Sequence, residues 1–398
     1  MGARIRVASV GRLATIGGDE NRLLQTALAM DPGRVEHVVI VVDGTDHLDE
    51  RERQRWAGMR QQYAAAGVEV VELAPSRRGG VAGAAARAES TARLARELRR
   101  RRIDVVDARS GVPAVMGVAA ATAARTPVVT LTSYYTSWFE PLPQKLVGQA
   151  MFARLDALIS DAQATLDDFD TWRWSHHAEL ALVQNGILPA TSELTREEAR
   201  AALGLWDDPG THVVGHISRL LRRKAHDVFL RAAATCLESD PDLRFAVVGF
   251  RAEEEPDTYD ELLALRDRLG LVEQVRFVSH PGPVGDAFRA IDTFAHLSLA
   301  DSSPIAIHEG MSLGKPSVIS ALPGNRELVD DGVTGLLVPP GDHLAAAEAF
   351  LRLAKDPDLA ERIGAGARAR YLERHRPEIM AANHLALWER LLARHGRR

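Results

Sequence analysis

The chain has 398 residues, 46% hydrophobic and 26% charged, room for two globular domains of roughly 150–200 residues each. A formal net charge of −5 offers no electrostatic footprint for nucleic acid, and a single cysteine, Cys236, excludes an internal disulfide and points to a reducing compartment. Lysine is scarce beside arginine: Lys145, Lys224, Lys315 and Lys355 are all there are, so a lysine at a motif position stands out.

In chain order, a strand over 5–10 leads to Gly17-Gly18-Asp19-Glu20 and a helix over 20–30. Paired glycines let a backbone approach a ligand closely, although a plain strand-to-helix turn explains them as well. Strands over 38–42, 68–73, 105–106, 128–131, 157–160 and 180–184 follow, with helices between them, among them 48–66 and 84–102. The β-branched run at 38–42 is that of a strand buried on both faces. Arg99 to Arg102 close a helix, where cations suit the macrodipole; a membrane-surface patch is the sharper alternative. No leader pattern opens the sequence, and the longest apolar run, 112–124, is short of the ~20 residues a membrane helix needs. A cytoplasmic location is expected.

Asn185-Gly186 is a turn and 189–193 a linker. Thr195 with Glu198 three residues later is a capping box that opens the next helix. Strands over 213–217, 245–248, 275–278, 293–297, 317–320 and 335–338 again alternate with helices, and three helices over 343–354, 357–375 and 377–395 end the chain. The fold class expected is α/β, with two doubly wound parallel-sheet, Rossmann-like domains facing a cleft. Residues 1–188 and 189–376 form the domains, and 377–398 is a helix packing back toward the first.

The segment over 301–342 is the most informative. Ser302 or Ser303 suits a helix N-cap and Pro304 the first helical position. The N–H groups of Ile305 and Ala306 then point out of a helix N-terminus, a ready anion site. Asp301 lies just before this helix and Glu309 about two turns inside it; both can accept hydrogen bonds from sugar hydroxyls. A Gly314-Lys315-Pro316 turn, a strand and a Pro323-Gly324-Asn325 turn follow. Upstream, Arg219 and Lys224 straddle a strand–loop–helix junction and can clamp a diphosphate, although Arg222 and Arg223 also allow a merely solvated basic loop. Gly364-x-Gly366-x-x-Ala369 follows no strand and is read as a false dinucleotide motif. Asp168 and Asp170 lie in a helical setting unlike a metal site, and His176, His177 and His308 lack zinc spacing. No metal and no cofactor are expected.

At these positions the chain resembles the retaining nucleotide-sugar glycosyltransferases of family 4, which have the GT-B two-domain fold. Asp301, Glu309, Met311, Gly314 and Pro316 fall in step with the family's EGFGLVxLEAMAxGxPVV. Pro323, Gly324 and Glu327, then Asp331, Gly332, Gly335, Val338, Pro340 and Asp342, follow GGxxExVxDGxxGxLVxPxD. Arg219 and Lys224 match GRLxxxKG, Gly17 and Gly18 the N-terminal glycine loop, and Asn185-Gly186-Ile187 the interdomain NGI. The resemblance implies that Glu309 holds the donor ribose, that Arg219 and Lys224 neutralise the diphosphate leaving group, that Ser303, Ile305 and Ala306 line the donor, and that Asp301 contacts the transferred sugar. Fixed cations then stand where other enzymes use a metal, and front-side attack is the usual proposal for the retaining outcome.

Three departures accompany the match. The first acid is the shorter Asp301; HAHS becomes Asp107-Ala108-Arg109-Ser110; and the histidine after the next strand becomes Thr132 or Ser133. The expected partners are a nucleotide-sugar donor, UDP favoured on family frequency, and a small hydroxylated acceptor, with the protein a monomer or homodimer. Asp19, Glu20, Asp107 and Glu140, with Arg109, Thr132 and Ser133 beside them, are placed on loops rimming the acceptor side. An amino-bearing acceptor, an aminocyclitol or aminosugar, would suit such acids, and scattered surface acids are the plainer account. A lipid-linked glycan acceptor, a nucleotide-sugar epimerase and a nonenzymatic nucleotide-sugar sensor are the competing readings.

Overall fold

The computed structural model describes residues 4–12, 18–42, 48, 50–73, 80–109, 111–139, 142–172, 177–252, 254–280 and 282–396. The chain divides into two compact units: Met1–Gly186 with Pro377–Arg398, and Ile187–Arg376.

The first unit runs β1 (Ile5–Gly11), α1 (Gly18–Ala29), β2 (Val35–Val41), α2 (Glu50–Ala65), β3 (Glu69–Glu72), α3 (Gly80–Arg101), β4 (Val105–Arg109), α4 (Val112–Ala124), β5 (Val128–Thr132), α5 (Leu142–Phe152), β6 (Ala157–Ser160), α6 (Gln163–Asp170) and β7 (Glu179–Leu182). Its parallel sheet has the order β3-β2-β1-β4-β5-β6-β7. All five residues of β4 and of β5 are buried, because helices cover both faces of the sheet. Alternation along the strands splits the apolar side chains between two layers. Val106 and Leu131 pack with Leu94, Leu98 and Met116, whereas Val7, Val105, Val128 and Ile159 pack with Trp388 and Leu391. The latter two belong to the C-terminal helix, Pro377–Arg394, which thus completes the first unit. Strand β4 extends to Arg109, three residues beyond the expected end, and that extension moves two site candidates from a loop into the sheet.

The second unit runs α7 (Arg196–Ala202), β8 (Val213–Ile217), α8 (His226–Ser239), β9 (Arg244–Val248), α9 (Thr258–Arg268), β10 (Val275–Val278), α10 (Val284–Ala290), β11 (Thr293–His296), α11 (Ile305–Ser312), β12 (Ser317–Ser320), α12 (Pro323–Leu328), β13 (Leu336–Val338), α13 (His343–Lys355) and α14 (Pro357–Arg374). The strands, again parallel, lie in the order β10-β9-β8-β11-β12-β13. Thr195 and Glu198 make both halves of the capping box. Gly364 and Gly366 sit on α14. A Cβ there would lie 2.2 Å from the Gly314 carbonyl oxygen and 2.3 Å from that of Val333, so these glycines serve close backbone packing and no dinucleotide. Among the described residues no helix is long and apolar enough to cross a membrane.

Candidate functional site

In the second unit, β8 ends at Ile217 and the chain turns beside the end of β9. A Cβ at Gly249 would lie 1.9 Å from the Ser218 carbonyl oxygen, so glycine there is what lets the two strand ends meet. The loop then forms a 3-10 turn over Arg222–Lys224 and enters α8 through Ala225, at φ 54°, a left-handed conformation that costs an alanine about 1–2 kcal/mol. This turn sorts the four cations. Arg219 Nη2 donates to both Glu254 oxygens, at 2.6 and 2.5 Å. Arg222 makes a fork with Glu261. Arg223 and Lys224 turn the other way: Arg223 Nη1 donates to Asp301 Oδ1 at 2.9 Å and Lys224 Nζ to Asp301 Oδ2 at 2.6 Å.

Asp301 has a third partner, His296, whose Nε2 lies 3.0 Å from Oδ2. Burial would raise the Asp301 carboxyl, but the His296 bond and the Lys224 ammonium leave it well below the usual carboxylate range. Below it are three buried imidazoles, His216, His226 and His296. The rings of His216 and His226 are 4.4 Å apart, and Ser218 Oγ bonds both. Burial first, then neighbouring histidines and Lys224, lowers the first two, His226 to about 3; burial also lowers His296, against the pull of Asp301. A proton carried on His296 Nε2 is donated to the Asp301 carboxylate.

Helix α11 opens one residue later than its motif suggests. Pro304 takes the N-cap position, with no side-chain cap, and Ile305 is the first helical residue; the Ser302 or Ser303 cap is thereby corrected. The first N–H groups, on Ile305 and Ala306, have no carbonyl a turn before them inside the helix. Ser303 is buried. The Pro323-Gly324-Asn325 segment, read as a turn, is instead the start of α12. A Cβ at Gly324 would lie 1.8 Å from the Ser302 carbonyl oxygen, so this helix presses on the backbone next to Asp301. Asn325 is buried and donates to the Ser320 carbonyl at 2.8 Å.

Glu309 lies one turn, not two, from the start of α11, on the same stripe as Ile305. Its carboxylate is half-buried and makes no hydrogen bond or ion pair among the described residues; burial alone pushes it up to about 7. Such an acid, with no protein donor among the described residues, is open to donors from a ligand.

In the first unit, Gly17 and Glu140 lie outside the described residues. Gly18 opens α1, and Asp19 and Glu20 fall in its first turn, where acids suit the helix dipole. The expectation that Asp107 rims the acceptor side on a loop is corrected. Asp107 is in β4 and buried, and accepts from Thr130 at 3.0 Å and Thr132 at 2.7 Å. Arg109, the last residue of β4, is also buried; it faces Asp107 and Asp19, each at 3.4 Å, and donates to the Tyr134 hydroxyl at 2.7 Å. Burial raises the Asp107 carboxyl despite Arg109. Burial pulls Arg109 down, but Tyr134, Asp107 and Asp19 outweigh it and the guanidinium stays charged. Ser133 follows β5 and donates to the Tyr135 carbonyl at 3.1 Å.

The structure thus gathers Asp301, Lys224 and the start of α11, and pairs Arg219 with Glu254. The motif reading missed Arg223 and His296. A histidine closing the strand five residues before Asp301 was the available signal for one; for Arg223, nothing in the run Arg222-Arg223 separates the two.

Residues 16–190 match the family model described as Glycosyltransferase Family 4, and residues 196–370 the one described as Glycosyl transferases group 1. A D-inositol 3-phosphate glycosyltransferase of Actinosynnema mirum is 33% identical over 235 residues, 57% of this chain and 56% of that protein. Another, from Streptomyces griseus subsp. griseus, is 32% identical over 250 residues, 56% of this chain and 52% of its own. The chain spans about half the length of the curated relatives it matches. Among solved structures, Anabaena HepE in complex with UDP and glucose has a TM-score of 0.79 at 22% identity, over 97% of this chain and 100% of its own, which shows the GT-B fold. The chain belongs to the group 1, family 4 glycosyltransferases.

Proposed function

We propose that this family member transfers a hexosyl group from a uridine-diphosphate sugar to a hydroxyl of a small cyclitol-type acceptor, with retention and without a metal. The observation that carries the reading is Glu309, a half-buried carboxylate with no protein partner among the described residues, one turn inside a helix whose N-terminus adjoins Asp301 and Lys224. A ribose supplies the two hydroxyl donors such a carboxylate lacks, and the diphosphate takes the cations and the helix end. The bond from the sugar's anomeric carbon to the diphosphate oxygen breaks, its electron pair staying on the leaving phosphate. A bond from the acceptor oxygen forms, and the acceptor's proton leaves with the phosphate. Fixed cations stabilise the charge that develops there.

UDP is favoured by HepE, solved with UDP and with UDP-glucose; the cyclitol is favoured by relatives named for inositol 3-phosphate. The amino-bearing acceptor loses one of its acids, since Asp107 is engaged by Thr130, Thr132 and Arg109. A lipid-linked acceptor draws little from the arginine run, where Arg100 and Arg101 are paired with Glu97 and Glu69. The test is to incubate the protein with UDP-glucose and other nucleotide sugars, with and without inositol and inositol phosphates. The reading expects nucleotide release that needs acceptor, and a product with the donor's anomeric configuration. A changed sugar without acceptor would make the protein an epimerase; binding without release under any condition would make it a sensor.

A further inference from the structure

In the first unit a cleft lies between α1, α2 and the sheet. Trp56, Met59 and Tyr63 recur at the spacing of one helical stripe and turn α2 toward β2, where Val39 and Val41 share one face of the strand. Leu23 of α1 packs with them. Arg12, just after β1, and Glu20, in the first turn of α1, complete the lining among the described residues. The cleft thus opens at the carboxyl ends of β1 and β2, the side on which doubly wound sheets bind ligands. It measures about 330 Å3 out to its open mouth, and only a water-sized part of it is closed. Polar groups are few inside it. Trp56 is buried and its indole N–H donates to Glu72 at 3.2 Å, so it offers the cleft a ring and no donor. Tyr63 is only 1% exposed, yet its hydroxyl makes no hydrogen bond among the described residues, whereas a buried tyrosine normally has a partner. That hydroxyl lies in the field of Glu20 and Asp19. Tyr135, half exposed, lies in the field of Asp19, Arg12 and Glu20, which sets a second aromatic ring near the mouth.

We propose that this cleft is an apolar subsite for the acceptor, taking an uncharged ring alcohol that carries a methyl-sized apolar group. Its part in transfer rests on the glycosyl transfer proposed above; its capacity to bind such a ring does not. With so few polar partners the closed part holds water poorly and suits a methyl group. The ring then lies against Trp56 and Met59, and one ring hydroxyl bonds the Tyr63 hydroxyl, which can donate or accept. A charged group is disfavoured, since Arg12 and Glu20 at the mouth carry opposite charges and the apolar floor offers a charge no partner. An acceptor that is hydroxylated all round its ring would leave this floor uncovered.

Methionine-methyl NMR of the full chain tests this, with the Met59 resonance assigned by Met59→Leu and three probes: p-cresol, phenol, which lacks the methyl, and toluene, which lacks the hydroxyl. p-Cresol should shift the Met59 resonance saturably, and phenol should bind roughly 3- to 5-fold more weakly, the scale of one buried methyl. Tyr63→Phe should weaken p-cresol by roughly 2- to 10-fold, the scale of one neutral hydrogen bond, and leave toluene unchanged. The variant's melting temperature should match wild type, because no protein hydrogen bond is lost. In transfer from UDP-glucose, at least one mono-O-methyl-myo-inositol should exceed myo-inositol in kcat/KM, and Tyr63→Phe should narrow the difference. A Met59 resonance indifferent to p-cresol, or equal p-cresol affinity in Tyr63→Phe, would overturn the site. Saturable binding with all inositols used alike would overturn its place in the acceptor site. A chain that binds p-cresol but releases no nucleotide from any nucleotide sugar would instead overturn the transfer reading.

Discussion

Glu309→Gln should make the protein more stable and a poorer binder of its donor, with the gain in stability depending on pH. The Glu309 carboxyl is raised from an ordinary 4.5 to about 7 by burial alone. At about 1.4 kcal/mol for each tenfold change in proton affinity, that rise costs the folded state about 3 kcal/mol when the group is ionised. Between those two pH values the folded carboxyl keeps a proton that the unfolded chain has released. Stability therefore falls as pH rises through the window; the full penalty is present above about pH 7 and absent below about pH 4.5. Glutamine removes the ionisable group. The variant should gain up to about 3 kcal/mol at about pH 8 and almost nothing near the lower end. It should also lose roughly 10- to 100-fold in affinity for UDP and for uridine alike, because the ribose loses a charged acceptor. Urea unfolding of both proteins across the window, with calorimetry on each, reads the two effects. A stability difference that does not vary with pH, or a wild type more stable at the alkaline end, would refute the reasoning. Stability given up at a ligand site is a known exchange, and here it is assigned to one carboxylate.

Other changes bear on the supports of the site. Gly324→Ala places a Cβ 1.8 Å from the Ser302 carbonyl oxygen; backbone must shift, at about 1–3 kcal/mol, and UDP affinity should fall because Ser302 adjoins Asp301. An unchanged urea midpoint would contradict this. Asp107→Ala leaves the Arg109 guanidinium buried without its strand partner and should cost about 3–5 kcal/mol in the unfolding of the first unit; wild-type stability would show that the pair is not needed. Trp388→Ala empties a fully buried position of the C-terminal helix and should cost about 3–5 kcal/mol. Hydrogen exchange should speed up in the first unit's sheet and stay unchanged in the second, and uniform protection would speak against separate cores.

Much of this was legible because the twin sheets announce themselves through short β-branched runs between helical stretches. Strands 213–217, 157–160 and 317–320 are buried throughout and lie where the sequence put them, since fully buried parallel strands have no polar face to blur the pattern. Strand β4 was cut short at Val106 because Asp107 and Arg109 look like loop residues; burial among Thr130, Thr132 and Tyr134 supplies the partners that let charges enter the sheet. The 323–325 segment reads as a turn because Pro-Gly-Asn usually is one; here proline starts a helix and glycine yields to a neighbouring carbonyl. In the second unit, motif spacing picked out Asp301, Lys224 and Glu309, and the structure joins the first two in one ion pair. The partners that distinguish Arg219 from Arg223, Glu254 and Asp301, lie 35 and 78 residues away, and no local pattern carries that information.

Acceptor-dependent release of UDP from a UDP-sugar, measured on wild type, Glu309→Gln and Lys224→Ala side by side, tests the central claim most directly. The account predicts release by wild type when a cyclitol acceptor is present, a glycosylated product of retained configuration, and a loss of roughly 100-fold or more in both variants, whose ribose acceptor and leaving-group cation are gone. Release at wild-type rates in both variants, or no nucleotide release by wild type from any nucleotide sugar with any acceptor, would contradict it.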